Sequence, residues 1–411
     1  MFKENWAIFA FLLVLLGLVL GQQTLLLMAS LFLTVMIVAL LWNHSALRRM
    51  VYRRTFDEER VFVGETVALT LELVNQKPLP LSWVQVDDRF PEKMPPEGRK
   101  LQVSGIPEIG LLSNIAALSW YEKVRWRYQM PCQQRGFYFF GPVFLRSGDI
   151  FGIFESEKLL EERTRLIVYP KVEPLERLGL PAKNPFGGRR THLPLFEDPT
   201  RVVGVRDYYP DDPMRRVHWK ATARTQALQV RVWEPTQERQ LIVFLNVATM
   251  EKHWLGVNEE LLEGTISVAA SICQHAFNDK NAVGLMANAS VPRSDQPVKV
   301  ASGRSPHQMR YILEALAAIT SYPTSTMHRL LRAESPKMEW GATLVVVTAV
   351  VSEALLAQMV RLRRAGRQLA LVSLDNSFSE KKAELVQAQG IVVHRLAHHF
   401  SWDRKNLALP T

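Results

Sequence analysis

Two charge-free apolar runs stand back to back near the amino terminus, Trp6 to Gly21 (WAIFAFLLVLLGLVLG) and Leu25 to Trp42 (LLLMASLFLTVMIVALLW), parted only by Gln22, Gln23 and Thr24. At about 1.5 Å per helical residue, each run is long enough, or nearly so, to cross a hydrocarbon core of about 30 Å. So short a connection predicts a transmembrane helical hairpin, over about 6–21 and 25–42. A cleaved signal peptide fits less well, because the second apolar run follows at once and no small-residue cleavage site separates the two. Lys3 precedes the first run, Arg48, Arg49, Arg53 and Arg54 follow the second, and the turn between them is uncharged. Positive charge stays on the cytoplasmic side, so both ends and the soluble bulk are expected at the cytoplasmic face of the inner (plasma) membrane.

The chain has 411 residues, of which 47% are hydrophobic, enough for two or three cored domains. Its two cysteines, Cys132 and Cys273, lie far apart and outside any CxxC or Cys/His ligand spacing, which argues against a disulfide framework or a structural zinc. A formal charge of +10 suits nucleic acid, an anionic membrane surface or an acidic protein. The juxtamembrane arginines account for part of it through attraction to the lipid bilayer.

Composition and periodicity divide the chain into five parts: 1–54 (the apolar hairpin and its basic flank), 55–170, 171–238, 239–400 and a tail at 401–411. The second part reads as β structure. Val67, Leu69, Leu71 and Leu73 alternate with Thr66, Ala68, Thr70 and Glu72, and Val124, Trp126, Tyr128 and Met130 alternate with Lys123, Arg125, Arg127 and Gln129. Short strands bounded by Gly64, Pro78, Pro80, Pro91, Pro95 and Pro96 favour an immunoglobulin-like β-sandwich. The third part is the least regular. Gly187 and Gly188 beside Arg189 and Arg190 suggest a mobile surface loop; without a strand-to-helix setting or a Gly-Lys-Ser/Thr sequence they do not make a phosphate loop.

The fourth part alternates strand and helix. Strands are expected at Leu241–Val247, Ala282–Met286, Thr343–Val351, Gln368–Leu374 and Ile391–Leu396. Helices are expected at Glu259–Phe277, Pro306–Thr320 with Met309, Ile312, Leu313, Leu316 and Ile319 inward, Ser352–Ala365 and Lys381–Gln389. Continuous apolar strands between helices imply a mainly parallel, Rossmann-type sheet covered on both faces.

The stretch Arg206 to Arg224, RDYYPDDPMRRVHWKATAR, concentrates Arg, Asp, Tyr, His and Trp as solvated loops seldom do. In Arg206, Tyr208, Pro210, Asp212, Arg215 or Arg216, His218, Trp219, Ala223 and Arg224 it resembles the signature of the bacterial domain of unknown function 58 family. Asp211 stands where that family usually has Gly; Asp can enter a left-handed turn, so the local turn is expected to survive. The segment Arg135 to Phe154 resembles a stretch found upstream of that signature, and reads as a strand, a turn and an aromatic plug with a structural role.

The resemblance implies a von Willebrand factor A-like domain for the strand and helix alternation. Such domains often hold magnesium through Asp-x-Ser-x-Ser and a later Asp. Here Asn246, Ala248 and Met250 stand at the first place, and Ala349 follows Thr348 at the second, so the site is degenerate and no metal or other cofactor is expected. Asn246 and Thr348 are expected to hydrogen-bond across the strand ends.

The resemblance also implies an adaptor that works with a MoxR-type AAA+ ATPase, often beside a transglutaminase-like membrane protein, in assembling or maturing envelope and other complexes. The residues themselves suggest a non-enzymatic scaffold. Arg206, Arg215, Arg216 and Arg224 outnumber any acid/base pair, Arg and Asp would clamp the loop, and Trp219 would anchor it. The alternative is a hydrolase-like enzyme using His218 with Asp212. Stacking aromatics among arginines would also suit single-stranded nucleic acid, but Asp207, Asp211 and Asp212 would repel phosphate, and no nucleic acid is expected. His394, His398 and His399 lack carboxylate or Cys companions and read as a solvated tail.

Overall fold

A computed structural model describes residues 5–181, 185–186, 197–235, 240–250, 256–292, 294–339, 341–375 and 377–396. The chain divides into two compact units, Met1–Lys171 and Val172–Thr411.

The first unit opens with α1 (Asn5–Leu20) and α2 (Gln23–Ala46), which contact one another across Gly21 and Gln22. Gly21 has φ 66°, a left-handed conformation that glycine adopts without a Cβ clash, and it ends α1. Only α2, with 24 residues, is long and apolar enough to cross a membrane among the described residues. The 16 residues of α1 reach about 24 Å. Of the two expected spans, α2 is the one that meets the length among the described residues.

Eleven strands follow: β1 (Met50–Phe56), β2 (Arg60–Phe62), β3 (Thr66–Asn75), β4 (Leu81–Pro91), β5 (Gln102–Val103), β6 (Ile109–Leu118), β7 (Lys123–Pro131), β8 (Gly136–Phe140), β9 (Val143–Gly148), β10 (Glu155–Leu160) and β11 (Thr164–Tyr169). They form three sheets, ordered β1-β3-β7, β10-β9-β4-β6-β5 and β2-β11-β8. One core joins them. The alternation in β3 buries Val67, Leu69, Leu71 and Leu73, which meet Val84, Val86 and Phe90 of β4 and Phe140 of β8 within it. The register β3 to β7 sets Leu69 opposite Tyr128 and Leu71 opposite Trp126, so the inward faces of both strands coincide.

A charged cluster lies inside this apolar layer. Asp88 accepts the Tyr52 hydroxyl at 2.6 Å and the Arg54 Nε at 3.0 Å, with Arg54 Nη2 on its second oxygen. Arg54 also donates to Thr164 Oγ1 at 3.2 Å and stacks near Phe90 and Phe140. A buried charge is tolerated where its partner and hydrogen bonds are this complete.

The second unit contains β12 (Glu197–Asp207), α3 (Trp219–Thr225) and β13 (Gln229–Pro235), then β14 (Gln240–Asn246), α4 (Glu259–Asn278), β15 (Ala282–Ala287), β16 (Val298–Gly303), α5 (Gln308–Ala318), α6 (Met327–Glu334), β17 (Thr343–Thr348), α7 (Glu353–Arg364), β18 (Gln368–Ser373), α8 (Glu380–Ala388) and β19 (Val392–Arg395). Six of these strands make one sheet, β16-β15-β14-β17-β18-β19, parallel except for the antiparallel edge strand β16. Ile242, Phe244, Leu344, Val346, Leu369 and Leu371 share a core with Leu330 and Leu331 of α6, Leu355 and Met359 of α7 and Ala383 of α8. Helices α4 and α5 contact the sheet through β14, β15 and β16.

The expected alternation is present, with several elements shorter and others shifted or extended by a residue. The strand read to Val351 ends at Thr348, because Thr348 Oγ1 donates to Val350 O at 2.7 Å and closes the backbone into a turn. Two elements escaped the sequence reading. β16 is a half-exposed edge strand, and α6 is only eight residues long. His394 lies in β19 and its Nε2 sits 2.6 Å from Pro185 O, so it belongs to the sheet edge, not to a solvated tail. His398, His399 and the loop residues Gly187 to Arg190 lie outside the described residues.

Candidate functional site

The signature segment is not irregular. β12 and β13 pair as an antiparallel ribbon, with Asp207 opposite Gln229 and Arg206 opposite Val230. Everything between them is an excursion closed at its base: Tyr208 N donates to Leu228 O at 2.9 Å and His218 N to Gln229 O at 2.7 Å. Val217 bridges Val230, both buried, which pins the middle of the excursion onto the ribbon. Pairing across so many residues leaves no local period, which explains why sequence inspection reads it as loop.

Within the excursion, Arg206 grips Asp212 through two parallel bonds, Nη1 to Oδ2 and Nη2 to Oδ1, each 2.6 Å. This fork geometry is the strong form of the carboxylate contact. Asp212 Oδ2 also accepts Tyr209 N at 3.0 Å, and the Arg206 guanidinium lies 5.4 Å from the Tyr209 ring centroid. Tyr209 to Asp212 form a turn closed by Asp212 N on Tyr209 O at 2.9 Å. Pro210 at its second position has the φ that such a turn needs. The turn survives with Asp211, as expected, and because Asp211 is not left-handed it has no need of glycine. The left-handed residue is Gln226, φ 56°, which caps the carboxyl end of α3. Asp207, read from sequence as one more acidic residue, accepts Gln229 Nε2 at 2.6 Å at the base of the ribbon.

His218 caps the other end of α3: its Nδ1 accepts Ala221 N at 3.0 Å. No hydrogen bond joins His218 to Asp212, whose carboxylate is taken by Arg206. Arg206 first, and then the Tyr209 N–H, hold the Asp212 carboxyl below the usual range, with Arg216 adding to the attraction. Trp219 is 62% exposed and so does not anchor the segment; it opens α3 with its ring in solvent. Tyr209 and Met214 are exposed to a similar degree, and Arg215 and Arg224 are also exposed. Tyr208, Arg216 and His218 are half-buried. The segment that carries the clamp thus also exposes aromatic, thioether and guanidinium groups.

A second candidate lies at the carboxyl ends of β14, β15 and β17, where crevices of open parallel sheets gather ligands. Asn246 Nδ2 donates to Thr348 Oγ1 at 2.9 Å, the bond expected from sequence. Asn288, which sequence inspection overlooked, completes the lattice. Its Nδ2 donates to Asn246 Oδ1 at 2.8 Å and to Ser325 O at 2.9 Å, and its Oδ1 accepts Val247 N at 2.9 Å. Its place directly after the apolar run of β15 is the signal that could have found it. Ala349 is buried, and Ala248 and Met250 are half-buried. Outside this lattice opens a cavity of about 580 Å³ lined by Thr249, Met250, Thr324, Thr326, Arg329 and Ser352 among others, with no Asp or Glu among its described lining residues. Among the described residues no three His, Cys, Asp or Glu side chains converge.

Residues 204–381 match the family model described as protein of unknown function DUF58. The uncharacterized protein YeaD of Bacillus subtilis (strain 168) is 24% identical over 353 residues, spanning 85% of this chain and 81% of that protein. Among solved structures, the CARDB domain of the PF1109 protein from Pyrococcus furiosus is 10% identical with a TM-score of 0.20, covering 29% of this chain and 91% of that one. The sporulation control protein Spo0M from Bacillus subtilis is 11% identical with a TM-score of 0.18, covering 31% and 52%. Scores of that size carry no argument about this chain.

Proposed function

We propose that this chain, a DUF58-family protein over residues 204–381, is a non-enzymatic, membrane-tethered adaptor whose signature ribbon docks a partner protein. The observation that carries the reading is the exposure of Trp219, Tyr209 and Met214 on the excursion that holds the Arg206–Asp212 clamp. Exposed aromatics and arginines on a preorganised base are the composition of interface hot spots. A hydrolytic reading has less support, since Asp212 is held by Arg206 and His218 caps a helix.

The partner class follows from the family resemblance: a MoxR-type AAA+ ATPase, with a transglutaminase-like membrane protein as a further associate, in assembly or maturation of macromolecular complexes. In this proposal α2 spans the inner membrane and α1 is the second arm of the hairpin. The exposed juxtamembrane Arg48, Arg49 and Arg53 keep the soluble units cytoplasmic, while Arg54 is buried against Asp88. An immunoglobulin-like sandwich and a von Willebrand factor A-like domain are the proposed architecture of those units.

Capture by full-length protein crosslinked in native membranes, read by mass spectrometry, tests this. Wild type should capture an AAA+ ATPase, and a Tyr209→Ala/Trp219→Ala variant should lose it while keeping its thermal transition, because both rings are exposed. Equal capture by both would remove the ribbon from the interface.

A further inference from the structure

The hairpin between β9 and β10 runs alongside α2 in the direction of the apolar span. Lys158 Nζ donates to Leu47 O at 3.4 Å, Ser156 Oγ to Asn43 O at 3.5 Å, and Phe154 is buried together with Met36 and Ala39, with Phe32, Leu33 and Ile153 packed around them. Each step along β10 toward its start therefore meets α2 farther from the helix's carboxyl end. The apolar part of α2 ends at Trp42, before Asn43, His44 and Ser45. Met36 lies six residues earlier, about 9 Å along the helix axis. Where α2 is in lipid, the tip of this hairpin is level with lipid.

The tip is built for that position. Asp149, 1% exposed, turns its carboxylate inward and accepts Ile153 N at 3.1 Å and Phe154 N at 2.7 Å, so two backbone donors of the turn are satisfied without water. Asp149 N donates to Phe154 O at 3.1 Å and closes the turn. A Cβ on Gly148 would lie 2.9 Å from Phe154 O and 3.0 Å from the Trp83 ring, so glycine is what lets the strands draw together here. The outward residues are Ile150 and Phe151, 57% and 53% exposed, and no charged side chain occurs from Ile150 to Phe154. In water, two large apolar side chains at a tightly tied turn are unfavourable; in the interfacial layer of a bilayer they are in their preferred solvent.

We propose that Ile150 and Phe151 form a lipid-inserted wedge, a second membrane contact that fixes the β unit against the bilayer beside α2. Lys77 supports the same arrangement: its ammonium donates to Ala46 O and to Arg48 O, the latter at 3.1 Å, so the β unit also grips the carboxyl end of the helix. The wedge rests on the proposal above that α2 crosses the membrane, and the experiment separates the two.

Full-length protein carrying Phe151→Cys is spin-labelled and reconstituted into phosphatidylcholine/phosphatidylglycerol vesicles. Collision of the label with oxygen, which concentrates in lipid, is compared with collision with a water-soluble nickel chelate. Cys132 and Cys273 are buried, so the label goes to the introduced thiol. Parallel samples carry Leu31→Cys on the exposed face of α2 and Glu58→Cys on the surface of the β unit. The expected result is a lipid signature at positions 151 and 31 and a water signature at 58. Lipid at 31 with water at 151 overturns the wedge alone. Water at both 31 and 151 overturns the wedge and the membrane-spanning reading together.

Discussion

Asp212 accepts two guanidinium N–H groups and one backbone N–H, and each favours the charged carboxylate. With its folded pKa depressed, the stabilisation is present above the unfolded carboxylate value and is lost as pH falls through the folded one. The backbone amides of Tyr209 and Asp212 should therefore keep their NMR positions at pH values where free aspartate is already protonating, and shift only on further acidification. Asp212→Asn should shift them at neutral pH. Wild-type amides that titrate at the ordinary carboxylate value would show that the clamp does not persist in solution. The Arg54–Asp88 pair behaves differently because it is buried. Burial pushes the Tyr52 hydroxyl well above its ordinary value, so it stays protonated and donates to Asp88. Arg54→Met or Asp88→Leu alone should cost about 3–5 kcal/mol by stranding a charge, whereas the double variant should recover most of that loss. Chemical unfolding of the three variants gives the cycle; additive losses would contradict the pairing.

At the scale of elements, the carboxyl edge of the parallel sheet is tied by amides where a metal site would need carboxylates. Asn288 ties the ends of β14 and β15 to a loop, so Asn288→Ala should leave Val247 N without its acceptor and take from Asn246 Oδ1 one of its two donors, Ala248 N remaining, at about 1–3 kcal/mol. A drop in the thermal transition with no change in magnesium affinity is the expected outcome; a lost magnesium-binding heat would assign the lattice to a metal instead. The ribbon β12–β13 teaches a related point. Arg206 and Asp212 stand out in the sequence, but Gln229, which closes the base through Asp207, has no local mark. Trp219 reads as an anchor because tryptophan is usually well buried, and the structure leaves it in solvent.

For the whole molecule, one helix long and apolar enough to span a membrane among the described residues joins a β unit, and a second unit carries the residues that match the DUF58 family model. Protein in isolated membranes should stay in the pellet after alkaline carbonate and leave only with detergent, because α2 offers continuous apolar surface along its length. Release by carbonate would reduce the attachment to a peripheral one. Sequence alone determined the apolar amino terminus, the β character of 55–170, the inward faces of β3 and β7, and the strand and helix alternation after residue 239. Each of these depends on which side chains avoid water, a property that either runs unbroken or repeats every two or 3.6 residues and can be counted along the chain. Tertiary structure alone decided the ribbon in the signature segment, the exposure of Trp219, the Asn288 lattice and the placement of the β9–β10 tip beside α2. Those depend on which residues distant in sequence meet, and a hydrogen bond between Asp207 and Gln229 or a contact between Phe154 and Met36 has no period to betray it.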